Sequence, residues 1–356
     1  MEFTFSEDQH MLQAAVREFL AGECTPEVIR GLWESETGRS AELWAQLAEL
    51  GIPGLRVPED DGGLGMDERD LVLVLEETGR AALAEPVIAT AAVGVPLLTE
   101  LREAGQAELA GRWLGAVASG KARLAVGHVQ SPFVADAHVA DLLLLADGDD
   151  LHAVEAGSAR LTAQPSNDQS QRLFSVDWSP SGATRVAEGS AGAALQKGAF
   201  DRGALACAAQ QLGVGQQLID MGALYATQRQ QFGVAIGSFQ AVKHRLANAQ
   251  VKVEYARAVV YRAAHSVATG QAERSVDVSM AKVAAGEAAL FAAKEALQVH
   301  GAIGYTYEQD LHVWMKRAWS LDLAFGTGAW HRARVADAVI DGAEPVRAFG
   351  YRPPPS

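Results

Sequence analysis

Apolar residues recur with a helical period along the first 120 residues of the chain. Ser6 is a candidate N-cap because the acidic residues Glu7 and Asp8 follow it, where the helix dipole favours them. A second helix is predicted near residues 41–50 and ends at Gly51, a typical C-cap residue. Further helices are predicted near 67–82, 87–104 and 106–119. We therefore expect residues 1–120 to form an N-terminal helical domain.

The pattern changes in residues 121–190. Short apolar runs at 142–145 (LLLL) and 173–176 (LFSV) alternate with clusters of Gly, Asp, Ser and Pro, which predicts a small β-domain. The DGDD stretch at 147–150 predicts a hairpin tip, and a metal site there is the less favoured interpretation.

Long helical patterns return after residue 190. The predicted helices run roughly over 192–228, 238–269, 274–299 and 308–341. Their length predicts a C-terminal four-helix bundle over 191–345, followed by a tail at 346–356 with a proline-rich, disordered end.

Composition narrows the function. The net charge of −14 and the absence of a basic stripe argue against a nucleic-acid surface. No apolar run reaches the roughly 18–20 residues of a transmembrane helix, and we expect no signal peptide, so the predicted location is the cytoplasm. The two distant cysteines, Cys24 and Cys207, suit a reducing compartment, and we interpret both as small core residues.

Several segments carry a recognisable order of motifs. Residues 43–65 read LWAQLAELGIPGLRVPEDDGGLG, residues 229–233 read RQQFG and are followed by FQAVKH, and residues 298–306 read QVHGAIGYT. Together they resemble the acyl-CoA dehydrogenases. The resemblance implies a mainly α fold with a small β-domain: an N-terminal helical domain, a middle β-domain and a C-terminal four-helix bundle. It also implies FAD-dependent α,β-dehydrogenation of an acyl-CoA thioester.

The resemblance assigns FAD-binding roles to five residues of the bundle. Arg229 offers a planar fork for the pyrophosphate, and the amides of Gln240 and Gln298 each carry a donor and an acceptor. Gly301 lets the backbone approach the cofactor, and Phe232 adds an apolar surface. In the family, these positions reach an FAD that is held mainly by the neighbouring subunit.

The chain departs from the family where the catalytic base should be. Residues 323–332 (LAFGTGAWHR) resemble the C-terminal signature that usually carries a glutamate, and Phe325 stands at the glutamate position. Thr327 is retained and is a sixth candidate FAD contact, whereas Ala329 replaces the usual Glu or Gln. Some relatives place the base on a bundle helix, but spacing puts Gly203 there, with Ala204 at the position of its arginine. Neither a phenyl ring nor these small residues can act as a base.

The middle domain also lacks the flavin-binding loops of the family. Residues 122–132 (ARLAVGHVQSP) stand where a Thr-Glu-Pro-x-x-Gly-Ser-Asp-like loop is usual, and no Lys-x-Trp-Ile-Thr-Asn-like strand follows. Trp178 lies in the wrong context for that strand, and we interpret it as a packing residue.

These losses favour a non-catalytic subunit. The chain resembles the non-catalytic subunit of the heterotetrameric acyl-CoA dehydrogenases of actinobacterial steroid side-chain degradation. That resemblance implies an α2β2 complex in which a catalytic paralogue supplies the base, FAD is shared across the interface, and electron-transfer flavoprotein is the acceptor.

Two alternatives remain open at this point. The chain can be a self-sufficient flavoenzyme, either with a base displaced to Asp201 or Asp322 or with oxygenase chemistry that needs no such base. It can also be a scaffold that binds no flavin.

Overall fold

The computed structural model describes residues 4–342. The predicted tail at 346–356 and the last residues of the predicted bundle lie outside this range. The N-terminal region is helical, as predicted. Its helices are α1 (Glu7–Glu23), α2 (Pro26–Glu34), α3 (Ala41–Glu49), α4 (Glu68–Arg80), α5 (Val95–Glu103) and α6 (Ala107–Ala118).

The ends of these helices follow local capping chemistry. Ser6 caps α1 and forms a reciprocal capping box with Gln9, so the predicted N-cap is confirmed. Gly51 follows α3 with a φ of +77°, the left-handed conformation that glycine adopts without strain. The short helix α2 was missed in the sequence, although Thr25 caps it and Pro26 occupies its first turn.

Only the second half of the helix predicted over 87–104 is a regular α-helix. Residues Ile88–Gly94 form a π-helix, and α5 begins after it. Pro96 has no N–H to donate to the carbonyl four residues earlier, and the amide of Val95 bonds instead to the carbonyl of Thr90. The Thr90 hydroxyl also accepts from the amide of Leu124, which ties this irregular turn to the following strand.

The middle region forms two small sheets, which confirms the predicted β-domain. Its strands are β1 (Leu124–Gly127), β2 (Val134–Ala135), β3 (Leu142–Asp147), β4 (Asp150–Glu155), β5 (Arg160–Gln164), β6 (Leu173–Asp177) and β7 (Arg185–Ala187). One sheet has the order β1-β3-β4-β7, with β1 and β3 parallel, and the other has the order β2-β6-β5. Asp147 pairs with Asp150 at the predicted hairpin tip. Trp178 packs against the apolar side of these sheets, as interpreted.

The C-terminal region is a bundle of long helices joined by a short hairpin. Its elements are α7 (Gly189–Gln228), β8 (Gln230–Gln231), β9 (Val234–Ala235), α8 (Gln240–Ala268), α9 (Arg274–His300), α10 (Leu311–Leu323) and α11 (Gly328–Val339). The prediction of a single helix over 308–341 is wrong. The helix is interrupted between α10 and α11, where Phe325 and Gly326 have φ values of +51° and +92° that no right-handed helix can contain.

One apolar core joins the N-terminal helices to the bundle. Both cysteines lie in it and are unpaired, and burial raises the pKa of Cys24 to about 12 and that of Cys207 to about 11. Their interpretation as core residues is therefore confirmed. Within residues 4–342, none of the helices combines the length and the apolar character that a bilayer crossing requires.

Glycines set the closest approach between α4 and α7. A Cβ added to Gly213 would lie 1.8 Å from the carbonyl oxygen of Glu76, and one added to Gly79 would lie 2.1 Å from that of Gln210. The two backbones therefore touch directly, and neither position has room for a side chain.

We expect Gly213→Ala to lower the free energy of unfolding by about 1–3 kcal/mol, because α4 and α7 must separate to admit the methyl group. The matched control is Gly111→Ala in α6, where an added Cβ meets nothing within 4 Å. That change should be neutral or slightly stabilising, since alanine favours helix. Denaturant unfolding of both variants checks the prediction, and equal midpoints would contradict it.

Candidate active site and its open and closed ends

Phe325 and Gly203, which the sequence resemblance predicts at the two alternative base positions, meet in space. Gly203 lies buried in α7, and Phe325 lies in the loop between α10 and α11. A Cβ added to Gly203 would come within 2.2–2.6 Å of three ring atoms of Phe325. The phenyl ring therefore rests on the bare backbone of the helix and occupies the space that a side chain at position 203 would need.

Aromatic rings surround Phe325. His128, at the end of β1, stacks on its ring with centroids 4.9 Å apart and planes at 26°. Phe200 meets Phe325 edge-on at 6.1 Å and Trp330 edge-on at 4.9 Å. Burial lowers the pKa of His128, which keeps its ring neutral near pH 7. The stack brings the middle domain into direct contact with the α10–α11 loop.

A buried histidine holds this loop in its unusual conformation. His331 is fully buried, and its Nε2 lies 2.9 Å from the carbonyl oxygen of Phe325. Because a carbonyl can only accept, Nε2 carries the proton, and Nδ1 faces the hydroxyl of Ser279 at 3.0 Å. This contact fixes the carbonyl of Phe325, whose φ is +51°. That backbone conformation costs energy for every residue type except glycine.

The two aspartates considered as displaced bases make different contacts: Asp201 through its carboxylate, and Asp322 through its backbone carbonyl. Asp201 is buried, with one oxygen 2.5 Å from Arg334 and the other accepting from Ser275 at 2.6 Å. Asp322 is half-buried, and its backbone carbonyl accepts from the ammonium group of Lys282 at 3.0 Å. The contacts of Asp201 are those of a structural ion pair, so neither of its oxygens is left open to a proton on a substrate.

A different set of residues lies at the opposite end of the bundle. Arg229 ends α7, Gln240 begins α8, and Gln298 lies in the last turn of α9, so the antiparallel order brings all three to one end. The rings of Tyr225 and His300 stack at 4.3 Å and join the ends of α7 and α9. Gly301 and Phe232 occupy the adjoining turns. The structure therefore brings together five of the six candidate FAD contacts.

Thr327 lies apart from this group. Its hydroxyl caps α11 by accepting from the amide of Trp330 at 3.2 Å, close to the aromatic cluster. Ser279, which contacts His331 there, and Gln298 are 19 positions apart on α9, or about 28 Å at 1.5 Å per residue. Thr327 and the other five candidates therefore cannot contact one flavin ring within a single chain.

Residues 6–121 match the family model described as acyl-CoA dehydrogenase, N-terminal domain, and residues 190–340 match acyl-CoA dehydrogenase, C-terminal domain. Acyl-CoA dehydrogenase IpdE2 of Mycolicibacterium smegmatis is 35% identical over 316 residues, which cover 88% of this chain and 93% of that protein. The chain belongs to the acyl-CoA dehydrogenase family. IpdE2 of Mycobacterium tuberculosis is 33% identical over 318 residues, covering 88% of this chain and 91% of that protein.

Solved structures agree with the predicted fold class. The ChsE4-ChsE5 complex from Mycobacterium tuberculosis matches with a TM-score of 0.85 and 27% identity, over 97% of this chain and 100% of that chain. A variant of the Tcur3481-Tcur3483 steroid ACAD matches with a TM-score of 0.83 and 25% identity, over 95% and 99% of the two chains. The predicted acyl-CoA dehydrogenase fold is therefore confirmed.

Members of this family bind FAD. The end of the bundle that carries Arg229, Gln240 and Gln298, called the open end from here on, fits part of that cofactor. The end around Phe325 and Gly203 is called the closed end. The Arg229 side chain is exposed and makes no hydrogen bond, ion pair or ring contact with the described residues. The side chains of Gln240 and Gln298 are likewise exposed and unbonded within residues 4–342. Phe232 is 93% exposed at a φ of +55°. These groups would hold the pyrophosphate and the polar edges of FAD. The aromatic cluster around Phe325 offers a flavin no such groups.

Sequence reasoning identified Phe325 and Gly203 but missed the residues that enclose them. His128, Phe200 and His331 lie on three separate elements, and none stands in a motif that assigns it a role. Of these contacts, only that between His331 and Phe325 joins residues close in sequence, six positions apart. The contact of His128 depends on the packing of the middle domain against the bundle, and that of Phe200 on the packing of α7 against the α10–α11 loop. The sequence carries no short-range signal for either.

We expect Gly203→Ala to destabilise the fold by about 1–3 kcal/mol, because its methyl group collides with the ring of Phe325. In a Phe325→Ala background the same change should cost much less, giving a coupling energy of about 0.5–3 kcal/mol in a double-mutant cycle. Gly198→Ala is the matched control on α7, since its Cβ would meet nothing closer than 3.4 Å. Additive effects of Gly203→Ala and Phe325→Ala would rule out the contact.

His331 should make stability depend on pH. Burial lowers its pKa to about 4 in the folded state, against about 6.5 in the unfolded chain. Between these values the unfolded state binds the extra proton, so the stability due to the neutral ring is complete above about pH 6.5 and is lost as the pH falls towards 4. His331→Gln should flatten this part of the profile of unfolding midpoint against pH. The exposed His10→Gln is the control, and an unchanged slope in His331→Gln would refute the assignment.

Proposed function

We propose that this chain is the non-catalytic subunit of a hetero-oligomeric, FAD-dependent acyl-CoA dehydrogenase. A catalytic paralogue supplies the base and most of the FAD-binding residues, and this chain completes the cofactor site across the interface. The complex is an α2β2 heterotetramer with one FAD for each unlike pair. Its reaction is α,β-dehydrogenation of an acyl-CoA, and the acyl group is a steroid side chain.

The packing of Phe325 on Gly203 carries this proposal. Dehydrogenation removes an α-proton, and the base must lie within hydrogen-bond reach of it. Here both positions at which the family places a base carry residues that cannot take a proton, and the ring of Phe325 fills the space of a side chain at position 203. A carboxylate introduced at either position would be desolvated among aromatic rings, at a cost that nothing nearby offsets. The chain therefore has no means of removing the proton at this place.

The opposite end of the bundle supports the interface role. Arg229, Gln240 and Gln298 are exposed polar groups without partners in the described part of the chain, and Phe232 is an exposed aromatic ring beside them. Phe232 contacts the ring of Phe239 and lies in the same hairpin as Val234, and all three are exposed, so together they form an apolar patch of the kind that a partner or ligand covers. Bound FAD would supply the acceptor for the hydride from the β-carbon. This chain contributes the cation for the pyrophosphate and the amides that orient the cofactor.

The relatives favour the same assembly and substrate class. ChsE4-ChsE5 is described as a complex of two differently named chains, and the Tcur3481-Tcur3483 protein as a steroid ACAD. Both match nearly the full length of this chain. By analogy, we propose an unlike partner, a steroid acyl-CoA substrate, electron-transfer flavoprotein as the electron acceptor, and a cytoplasmic location.

The FAD content of the protein tests the proposal. We expect the chain purified alone to be colourless. The chain co-expressed with an acyl-CoA dehydrogenase paralogue encoded beside it should carry one FAD per unlike pair, measured by flavin absorbance against protein concentration. One FAD per chain in the lone protein would instead favour a self-sufficient flavoenzyme, and no flavin in any complex would favour a scaffold.

Arg229→Ala should weaken FAD retention by the complex about 10–100-fold, because a charge-assisted hydrogen bond to phosphate contributes about 1.5–3 kcal/mol. Arg112→Ala, which removes an exposed arginine from α6, is the matched control and should leave FAD content unchanged. Equilibrium dialysis of the two complexes against FAD gives the comparison. If both variants retain FAD equally, Arg229 does not contact the cofactor.

A further inference from the structure

A pocket of about 590 Å³ lies outside both ends of the bundle discussed above. It is bounded by α2, by the segment between β5 and β6, and by Tyr307 in the loop before α10. None of the candidate base or FAD-binding residues lines it. Its volume falls within the range of about 300–1,000 Å³ that is typical of small-molecule sites.

The walls of this pocket are fixed by buried contacts. Asp168, in the β5–β6 segment, accepts from Arg317 at 2.6 Å and from Ser320 at 3.0 Å, and all three side chains are buried. The indole N–H of Trp33 donates to Ser170 at 2.7 Å and joins α2 to the same segment. The pocket is therefore formed before any ligand enters, which reduces the entropic cost of binding.

Two arginines face the pocket from different walls. Arg172 is held by the carbonyl of Trp33, to which its Nη2 donates at 2.9 Å, while its Nη1 makes no hydrogen bond among the described residues. Arg30 lines the α2 wall and pairs with Asp310. Guanidinium groups with unused donors are suited to phosphate or carboxylate oxygens.

A third cation lies behind the aromatic wall. The ammonium group of Lys316 is 4.6 Å from the centre of the Tyr307 ring and donates to its hydroxyl at 3.2 Å. Asp310 pairs with Arg30 and Asp168 with Arg317, so Arg172 and Lys316 are the cations without a carboxylate partner among residues 4–342, against one unpaired carboxylate on the pocket wall, Glu34. In a chain with a net charge of −14, this local excess of positive charge favours an anionic ligand.

The remaining walls suit a flat, polar ring. Trp33 and Tyr307 both line the pocket, and Tyr307 is two-thirds exposed, which leaves ring surface open to stacking. The side-chain amides of Gln169 and Gln171 also line it and make no hydrogen bond within residues 4–342. Each amide offers both a donor and an acceptor, the combination that pairs with the edge of a nucleobase.

We propose that this pocket binds an adenine nucleotide, with the base against Trp33 and Tyr307 and the phosphates at Arg172 and Arg30. The site is independent of the proposed role in a dehydrogenase complex, because it shares no residue with the open or the closed end of the bundle. It gives the chain a second small-molecule site.

ADP binding to the full-length chain, measured by isothermal titration calorimetry, tests this site. We expect saturable binding, and at least about tenfold weaker binding of both adenosine and inorganic phosphate, because each lacks half of the contacts. Arg172→Gln and Tyr307→Ala should each weaken ADP binding by about tenfold or more. Phosphate binding as tightly as ADP would exclude the ring contacts and overturn the proposal.

A second variant guards against misfolding of Arg172→Gln, whose arginine also anchors α2. Gln169→Glu places a negative charge in the pocket without removing an internal hydrogen bond, and it should also weaken ADP binding. Arg112→Gln, at an exposed arginine of α6 outside every proposed site, is the control that should bind ADP as the unmodified chain does. The proposal is overturned if ADP does not bind. It is also overturned if binding is lost in Arg229→Ala but retained in Arg172→Gln and Gln169→Glu, since the nucleotide would then occupy the FAD half-site.

Discussion

The contact between the ring of Phe325 and the backbone of Gly203 is the constraint on which the proposed role of this chain depends. The ring can rest there only because Gly203 has no side chain, and the loop can present it only in a left-handed conformation. His331 holds that conformation through the Phe325 carbonyl, and His128 covers the outer face of the ring. A change at one of the two base positions would be a local loss, but the two together form a packed apolar contact. The surroundings of Phe325 are therefore a packed structure that several elements support, in agreement with the proposal that no base acts there.

The polar groups near the two ends of α9 differ in whether they have hydrogen-bond partners. At one end, near Ser279, the polar groups are paired: His331 bonds to a carbonyl and a hydroxyl, and Asp201 bonds to Arg334 and Ser275. At the other end, Gln298 and Arg229 face solvent without partners in the described structure. Paired buried groups stabilise one chain, whereas exposed unpaired groups gain their bonds only when something else binds. This contrast is the physical basis for assigning the chain to an interface.

The sequence predicted most helix ends well because the signals are local. Ser6 with Gln9, and Gly51 after α3, need only a few residues to cap a helix. The π-helix before Pro96 and the break at Phe325 were not predicted. The proline is a local signal for the first, but the bond from Leu124 that holds this turn joins distant residues, and the break at Phe325 is held by His331. At the site, the resemblance to the family, based on residue types and their spacing, singled out Arg229 and Phe325. The enclosing rings came from distant elements, and the ion pair of Asp201 joins residues 133 positions apart.

The strongly acidic composition makes the unpaired arginine more informative than it would be elsewhere. With 44 acidic and 30 basic residues, carboxylates are in excess, and many of the arginines in residues 4–342 pair with one of them. The field of such a chain repels a dianionic pyrophosphate, so binding needs a cation that no carboxylate has neutralised. Arg229 meets this condition because it ends α7 at an exposed turn where no acidic side chain of residues 4–342 pairs with it. Its retention is difficult to explain by stability, since an exposed, unpaired arginine contributes little to folding, and an anionic ligand supplied from outside the chain explains it directly.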